Sequence, residues 1–162
     1  MNELIEAGGG TRMFCSFRTE GRLYGIDAAQ VREVSAHVAF TPVPQCPPAV
    51  RGLANLRSRV YLVVDVRPVL GFPPVGCTED SRLIVLRPQL AENLGILVEH
   101  GGDIVRVSAA QIEETPPPAA AAADTAGDRP PDVVVGVCKL DRELMNIIDA
   151  ARLVESLEAL VK

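Results

Sequence analysis

The chain has 162 residues, of which 48% are hydrophobic, and its aromatic residues are four Phe, two Tyr and no Trp. One domain, or two small halves that share a core, can therefore be buried, and that core must be mainly aliphatic. The formal net charge of −5 argues against nucleic-acid binding, because a nucleic-acid surface normally carries a basic stripe.

The first residues and the cysteines indicate a cytoplasmic protein. Residues 1–11 are predicted to be a flexible leader, in which MNELIEAGGG is acidic and has no long apolar run, so we expect neither a signal peptide nor a membrane anchor. None of the four cysteines lies in a C-x-x-C motif or at a histidine-rich spacing. We expect reduced, mostly buried thiols at Cys15, Cys46, Cys77 and Cys138.

Two strands are predicted at the start of the domain. Met13, Cys15 and Phe17 alternate with Phe14, Ser16 and Arg18, which indicates a strand with one face better buried than the other. A second strand returns from Leu23 to Ile26, after a turn at Glu20-Gly21. Farther on, TPVPQCPP at residues 41–48 contains four prolines, which lack the amide hydrogen that regular structure needs. This segment should cross the surface in an extended form.

A capping-box pattern predicts a short helix between these segments. Asp27 is followed three residues later by Gln30, the spacing at which two side chains cap the first amides of a helix. The helix is predicted to begin within AAQVREV, with Val31 and Val34 on its inner face and Glu33 exposed.

A hairpin is predicted over VRGLANLRSRVYLVV. Aliphatic and β-branched residues indicate strands from Val50 to Leu56 and from Val60 to Val64, joined by a tight turn at Arg57-Ser58-Arg59. A short helix is then predicted to begin at Asp65, whose carboxylate can accept from the first amides, and to end at Gly71.

The second half contains similar signals. After a Pro/Gly loop at residues 72–80, strands are predicted at 82–87 and 94–99, and Ser108 with Gln111 forms another capping-box pattern. Residues 116–132, PPPAAAAADTAGDRPPD, are of low complexity and are predicted to be a disordered loop. A final hairpin precedes a terminal helix, which is capped by Asp149 and carries an apolar stripe.

Two internal offsets indicate a duplicated unit. Adding 84 carries Val50, Gly52 and Asp65 onto Val134, Gly136 and Asp149, and adding 70 carries Gly25 onto Gly95 and Val34 onto Ile104. The two copies predict a mainly β protein of paired small barrels. We place their approximate halves at residues 12–75 and 81–155 of one domain spanning 12–162, and a strand of one half can cross over to the other.

These segments together resemble the CheW family, the adaptor domain of bacterial chemosensory arrays. RGLANLRSRVYLVVDVR is similar to the family's typical GVINLRGRIVPVIDLR, and FRTEGRLYGID, VREV, TPVPQCPPAVRG and LGILVE also occur in the family's order. The resemblance extends from about Phe14 to Leu153. It implies two SH3-like five-stranded β-barrels packed together, with short helices and a C-terminal helix.

The resemblance also implies a function. CheW-like adaptors bind the cytoplasmic tips of methyl-accepting chemotaxis receptors and the regulatory domain of a CheA-type histidine kinase, without enzymatic activity or a cofactor. Such a protein is recruited to membrane-associated receptor arrays and does not insert into the membrane. A divergent member that competes for kinase binding, or that serves a motility or gene-control pathway, is the alternative within this class.

Four site residues follow from the resemblance. Asn55 and Arg57 match the family's NLR segment, whose turn projects side chains towards the receptor, and a guanidinium can donate to carboxylates and carbonyls there. Val31 and Glu33 match a Val-x-Glu sequence in the family's first helix, which is implicated in partner contact. The simpler alternatives are that Arg57 and Glu33 are ordinary solvated side chains.

Glycines mark both agreement with the family and departure from it. Gly52 and Gly136 match structural glycines of the family, where we expect close backbone packing. Ser58 stands where a glycine usually follows NLR, and a positive φ at this residue would cost about 1 kcal/mol. Gly101-Gly102 are assigned to the second half's short helix, which they would weaken.

The strongest enzymatic interpretation uses the two duplicated aspartates. Asp65 and Asp149 occupy equivalent positions, as the paired carboxylates of an aspartic protease do. The residues that follow them, Val66-Arg67 and Ala150-Ala151, lack the Thr-Gly or Ser-Gly that holds such a pair. Helix capping explains both aspartates, so an aspartyl hydrolase is the alternative and a non-enzymatic adaptor is the prediction.

Overall fold

The computed structural model describes residues 10–36, 39–73, 76–114 and 131–161, which form β-strands, two short 3-10 helices and one α-helix. The strands are β1 (Thr11–Thr19), β2 (Arg22–Asp27), β3 (Val31–Ser35), β4 (Val50–Leu56), β5 (Arg59–Asp65), β6 (Arg82–Leu86), β7 (Leu94–Val98), β8 (His100–Ser108), β9 (Ile112–Glu114), β10 (Val134–Lys139) and β11 (Leu144–Ile148). The 3-10 helices are Ala28–Gln30 and Ala109–Gln111, and the α-helix, α1, is Ala150–Val161. Most of the predicted leader and of the predicted disordered loop falls outside the described residues.

The predicted mainly β fold with a C-terminal helix is confirmed. The described strands form a six-stranded sheet in the order β8-β1-β2-β11-β10-β9 and a five-stranded sheet in the order β3-β6-β7-β5-β4. The six-stranded sheet gains its extra strand from β9, which is only three residues long. We refer to the two sheets with their connecting turns as the six-stranded unit and the five-stranded unit.

Each sheet takes strands from both halves of the chain. The first hairpin, β1 and β2, joins the six-stranded sheet through a parallel pairing of β2 with β11. The equivalent hairpin of the second half, β6 and β7, joins the five-stranded sheet through a parallel pairing of β7 with β5. Because these pairings exchange strands between the halves, neither half contains a complete sheet of its own.

The duplication is visible in backbone hydrogen bonds. The Asp65 amide donates to the Ala49 carbonyl at 2.8 Å, and the Asp149 amide donates to the Val133 carbonyl at 3.0 Å. Both donor and acceptor of the second bond are related to those of the first by 84 residues. The two hairpins are therefore copies of one unit in three dimensions as well as in sequence.

Gly52 and Gly136 lie at matching bulges of these hairpins. A Cβ at Gly52 would lie 2.2 Å from the carbonyl oxygen of Thr41, and φ there is +151°. A Cβ at Gly136 would lie 2.8 Å from the carbonyl oxygen of Glu113. At both positions a neighbouring backbone occupies the space of a side chain, so only glycine fits without rearrangement.

One apolar cluster joins the two sheets, and each sheet has a smaller cluster of its own. The shared cluster contains Phe17 and Tyr24, whose rings stack with centroids 5.4 Å apart, together with buried side chains from the five-stranded sheet. The apolar stripe of α1 packs on this cluster through Leu153, Val154 and Leu157. The helix therefore covers the junction of the two units.

The predicted helix after Asp27 is wrong beyond its first turn. Asp27 accepts from the Ala29 amide at 2.9 Å and caps a 3-10 helix that ends at Gln30. The next five residues are strand β3, because β-branched Val31 and Val34 pair with β6 and half-bury their side chains. Val31 and Glu33 therefore lie on a strand, and not on a helix.

The predicted helix after Asp65 is reduced to turns over residues 66–71. The Asp65 carboxylate accepts from the Arg67 amide, and the Phe72 amide then donates to the Arg67 carbonyl while Gly71 adopts φ +91°. This closure ends a helix after one turn. The segment ends at Gly71 as predicted, but it is too short to be an α-helix.

Gly101 and Gly102 lie on strand β8, so their assignment to a helix is also wrong. The pairing of β8 with β1 shifts between Ser16 and Phe17, which leaves Gly102 as an extra residue with φ +103°. A Cβ at Gly101 would lie 2.8 Å from the Phe17 Cβ. The glycines permit a β-bulge close to the neighbouring strand.

Candidate functional site

The turn between β4 and β5 presents Arg57 at an exposed end of the five-stranded unit. Leu56 pairs with Arg59, so the loop has two residues, Arg57 with φ 51° and Ser58 with φ 68°. Positive φ at both central residues is the geometry of a type I′ turn, which matches the twist of its strands. Neither residue is glycine, and each bears a backbone cost of about 1–2 kcal/mol.

Arg57 forms an ion pair with Glu33. The Nε atom of Arg57 lies 3.3 Å from Oε1 of Glu33, and their side chains are 78% and 23% exposed. The expectation that Glu33 is simply solvent-facing is therefore wrong. Glu33 lies on β3 and Arg57 follows β4, so the pair links the two edge strands of the five-stranded sheet and implies that the sheet curls like a barrel.

Asn55 extends this surface along β4, and Val31 does not. Asn55 is exposed and pairs with Val60, whose side chain is 52% exposed, and Leu53 lies two residues away at 42% exposure. Val31 is half-buried and packs against the shared core. We call Glu33, Leu53, Asn55, Arg57 and Val60 the first-hairpin surface.

The second hairpin forms a related surface that the sequence reasoning missed. Adding 84 carries Val60 onto Leu144, which is 55% exposed, and Arg57-Ser58 onto Asp141-Arg142. Beside this turn lies a groove of about 220 Å³, lined by residues that include Ser16, Arg18, Gly101, Asp103, Leu140 and Glu143. We call it the second-hairpin groove. The 84-residue offset was the signal that could have located it.

An ion pair lies in the lining of the second-hairpin groove. The guanidinium of Arg18 donates to both carboxylate oxygens of Glu143, at 3.0 and 2.7 Å. The hydrogen bonds from Arg18 lower the pKa of Glu143. Since both side chains are about 40% exposed, the pair adds little to stability. Its effect is to hold the two side chains in place at the rim of the groove.

Asp65 and Asp149 each have a structural role. Asp65 is 3% exposed and its Oδ1 accepts from the Arg67 amide at 2.9 Å, while burial raises its pKa. The Oδ1 of Asp149 accepts from the Arg152 amide at 3.1 Å and caps α1. A cavity beside Asp65 has a volume of about 10 Å³, which is room for one water and not for a substrate.

The cysteines are free, and two of the four are buried. Cys15 and Cys138 are buried, Cys46 is half-buried and Cys77 is exposed. Burial raises the pKa of the Cys15 thiol to about 11, so this thiol stays protonated at neutral pH. Within the described ranges, no group of three or more His, Cys, Asp or Glu side chains is placed to hold a metal ion.

The described helices are short. Among the described residues, no helix is both long and apolar enough to cross a bilayer.

Two interlocked β units, each with an exposed hairpin end, make up the fold, and both aspartates cap backbone amides. A family model described as "CheW-like domain" matches residues 13–158. The chain belongs to the CheW-like family, whose proteins are non-enzymatic scaffolds and adaptors.

Individual relatives agree with this assignment. The chain is 29% identical over 134 residues to the chemotaxis protein CheW of Bacillus subtilis, covering 83% of this chain and 81% of that protein. It is 28% identical over 140 residues to CheW of Rhizobium meliloti, covering 86% and 85%. The crystal structure of the scaffolding protein TtCheW from Thermoanaerobacter tengcongensis superposes with a TM-score of 0.68 at 27% identity, covering 85% of this chain and 88% of that one.

Proposed function

We propose that this protein is a chemotaxis adaptor that couples the cytoplasmic tip of a methyl-accepting receptor to the regulatory domain of a CheA-type histidine kinase. The observation that carries the proposal is the Glu33–Arg57 ion pair, which brings two separately predicted contact residues together at an exposed turn. An adaptor needs two docking surfaces, and the duplicated hairpins provide two equivalent places for them.

The first-hairpin surface suits a helical receptor tip. Arg57 can exchange its ion pair with Glu33 for carboxylates or carbonyls of a partner helix, while Val60 and Leu53 supply exposed apolar area. Exposed Asn55 can both donate and accept hydrogen bonds. The combination of apolar area with a few directional polar groups is typical of protein interfaces.

The second-hairpin groove is the proposed site for the kinase domain. Its volume of about 220 Å³ can take a large apolar side chain of a partner, and exposed Leu144 beside it adds area. The Arg18–Glu143 pair on its rim supplies polar contacts of both signs. With the receptor on one unit and the kinase on the other, both can bind at once.

The protein acts without a cofactor or nucleic acid in this proposal, and it stays in the cytoplasm. It reaches the membrane-associated array through the receptor and does not insert into the bilayer. The net charge of −5 supports the part of the proposal that concerns nucleic acid, since such a surface normally carries a basic stripe.

The test is a crossed pair of substitutions at equivalent positions, Val60→Glu and Leu144→Glu. Both replace an exposed apolar side chain with a charge, at 52% and 55% exposure, so each is the matched control for the other. Val60→Glu should weaken co-sedimentation with receptor-bearing membranes and spare kinase binding, and Leu144→Glu should do the reverse. Arg57→Glu and Asn55→Ala should act as Val60→Glu does, with losses of about tenfold or more in affinity.

Reconstituted kinase activity then separates coupling from competition. A coupling adaptor raises receptor-dependent autophosphorylation, whereas a divergent protein that competes for kinase sites lowers it. Binding that is unchanged in both hairpin variants would remove the assignment of these surfaces. A wild-type chain that binds neither receptor nor kinase would remove the proposed function.

A further inference from the structure

Arg67 is a buried arginine with partners in both units. It is 2% exposed, its Nε donates to the Pro73 carbonyl at 2.6 Å, and its two terminal nitrogens pair with Glu99 and Glu20. Its guanidinium also lies 5.7 Å from the centroid of the Phe72 ring. A buried guanidinium is costly without partners, and here each of its three nitrogens has an acceptor and two carboxylates face its charge.

The partners of Arg67 come from different parts of the fold. Arg67 follows β5 of the five-stranded sheet, and Glu20 lies in the β1–β2 turn of the six-stranded sheet. Glu99 lies between β7 and β8, where the chain passes from one sheet to the other. Arg22 of β2 adds a further link, since its guanidinium lies 5.9 Å from the same Phe72 ring. The cluster therefore ties the two units together.

The duplicated copy shows that the hairpin unit folds without this arginine. Adding 84 carries Arg67 onto Ala151, in the first turn of α1. Asp149 caps that helix while its equivalent, Asp65, caps the turn that carries Arg67. The two copies thus diverge at the point where the first copy reaches its partner unit, so the role of Arg67 lies at the junction.

Directional contacts are what an apolar junction lacks. The shared core that joins the sheets is stabilised by burial, which has no preferred direction. Ion pairs from a planar guanidinium to carboxylates on two segments have a narrow geometry, and they can select one arrangement among several that bury similar area.

We propose that Arg67, held by Glu20 and Glu99, is a positioning residue that sets the angle between the two β units. The angle determines how a partner docked on the first-hairpin surface lies relative to one in the second-hairpin groove, and this last step depends on the proposed function. The Glu20 and Glu99 side chains are 48% and 31% exposed, so water can compete with Arg67 for both carboxylates.

The experiment compares Glu20→Gln and Glu99→Gln with Glu143→Gln in the full chain. Each of the first two substitutions removes one of the two carboxylates that pair with Arg67 and keeps the other. The buried guanidinium therefore still has a charged partner. The control removes the partner of Arg18, a pair that lies within the six-stranded unit. Residual dipolar couplings of backbone amides report whether both sheets fit one alignment tensor, as sheets at a fixed angle must.

The couplings of the wild-type chain and of Glu143→Gln should fit a single alignment tensor. In the junction variants, Glu20→Gln and Glu99→Gln, the couplings of each sheet should still fit a tensor of their own, but the two sheets together should no longer fit one. A single tensor in both junction variants, or loss of the common tensor in the control, would overturn the proposal. If the chain couples receptor to kinase, the junction variants should also lose receptor-dependent activation while keeping each separate binding. A wild-type chain that binds no partner would refute the proposed function and leave the alignment result standing.

Discussion

Replacing Ser58 with glycine should stabilise the protein. Ser58 and Arg57 both have positive φ in the type I′ turn, at 68° and 51°. A residue with a Cβ loses about 1–2 kcal/mol in this region relative to glycine. Glycine also gives the unfolded chain more freedom, which offsets about 0.4–1 kcal/mol of the gain.

The expected net gain in the free energy of unfolding is about 0.5–1 kcal/mol. For a chain of this length each kcal/mol moves the melting temperature by about 2–4 °C, so the predicted increase is about 1–4 °C. Urea unfolding followed by circular dichroism measures the same gain as a shift in midpoint with an unchanged slope.

Ser58→Ala is the matched control, because it removes the hydroxyl and keeps the Cβ. If the reasoning holds, only the glycine variant gains stability. Equal stability of the glycine and alanine variants would mean that backbone strain at Ser58 is not the cause. If the proposed function holds, receptor binding should survive the glycine substitution, since the side chain of Arg57 is unchanged.

Three further predictions concern Gly52, Asp65 and the cysteines. Gly52→Ala should lower the free energy of unfolding, measured in urea, by about 3 kcal/mol, because the added Cβ would lie 2.2 Å from the Thr41 carbonyl oxygen. A loss below about 1 kcal/mol would contradict the packing argument. Burial raises the pKa of Asp65, so the folded state disfavours the carboxylate, and the stability of the wild type falls as pH rises from the ordinary aspartate pKa through the raised one. The free energy of unfolding of Asp65→Asn should therefore increase relative to that of the wild type between pH 4 and pH 7. An equal difference between the two proteins at both pH values would contradict this. Exposed Cys77 should react with iodoacetamide in the native protein, while Cys15, with its pKa of about 11, should react only after unfolding, and equal native rates would contradict the burial of Cys15.

Local signals in the sequence were sufficient for the central hairpin and for the caps at which helices begin. The β4 bounds agree with the prediction at both ends, and Asp149 caps α1 as expected, because strand propensity and capping act over a few neighbouring residues. The predicted capping box of Ser108 and Gln111 is present and begins a 3-10 helix. The same capping signal at Asp27 led to a wrong helix, since pairing with β6 outweighed the local preference.

The candidate site was predictable only in part. Arg57 lies in the predicted turn and Asn55 near the end of the predicted strand before it, and both are exposed, so their place on the surface followed from the hairpin. The contact between Arg57 and Glu33 did not follow, because the two residues are 24 positions apart and meet only when the sheet curls. The second-hairpin groove likewise depends on the packing of β8 against β1.

The sequence by itself determined the duplicated hairpins and the apolar stripe of α1, since each is a pattern of residues within a short segment. The close packing at Gly52 and Gly136 was implied only by the family resemblance, because it depends on the backbones of Thr41 and Glu113, which are distant along the chain. Only the tertiary structure decided which strands pair between the halves, how Glu33 meets Arg57 and where the buried Arg67 finds its carboxylates. These features depend on contacts between distant segments, and such contacts are set by how whole sheets bury their shared apolar faces.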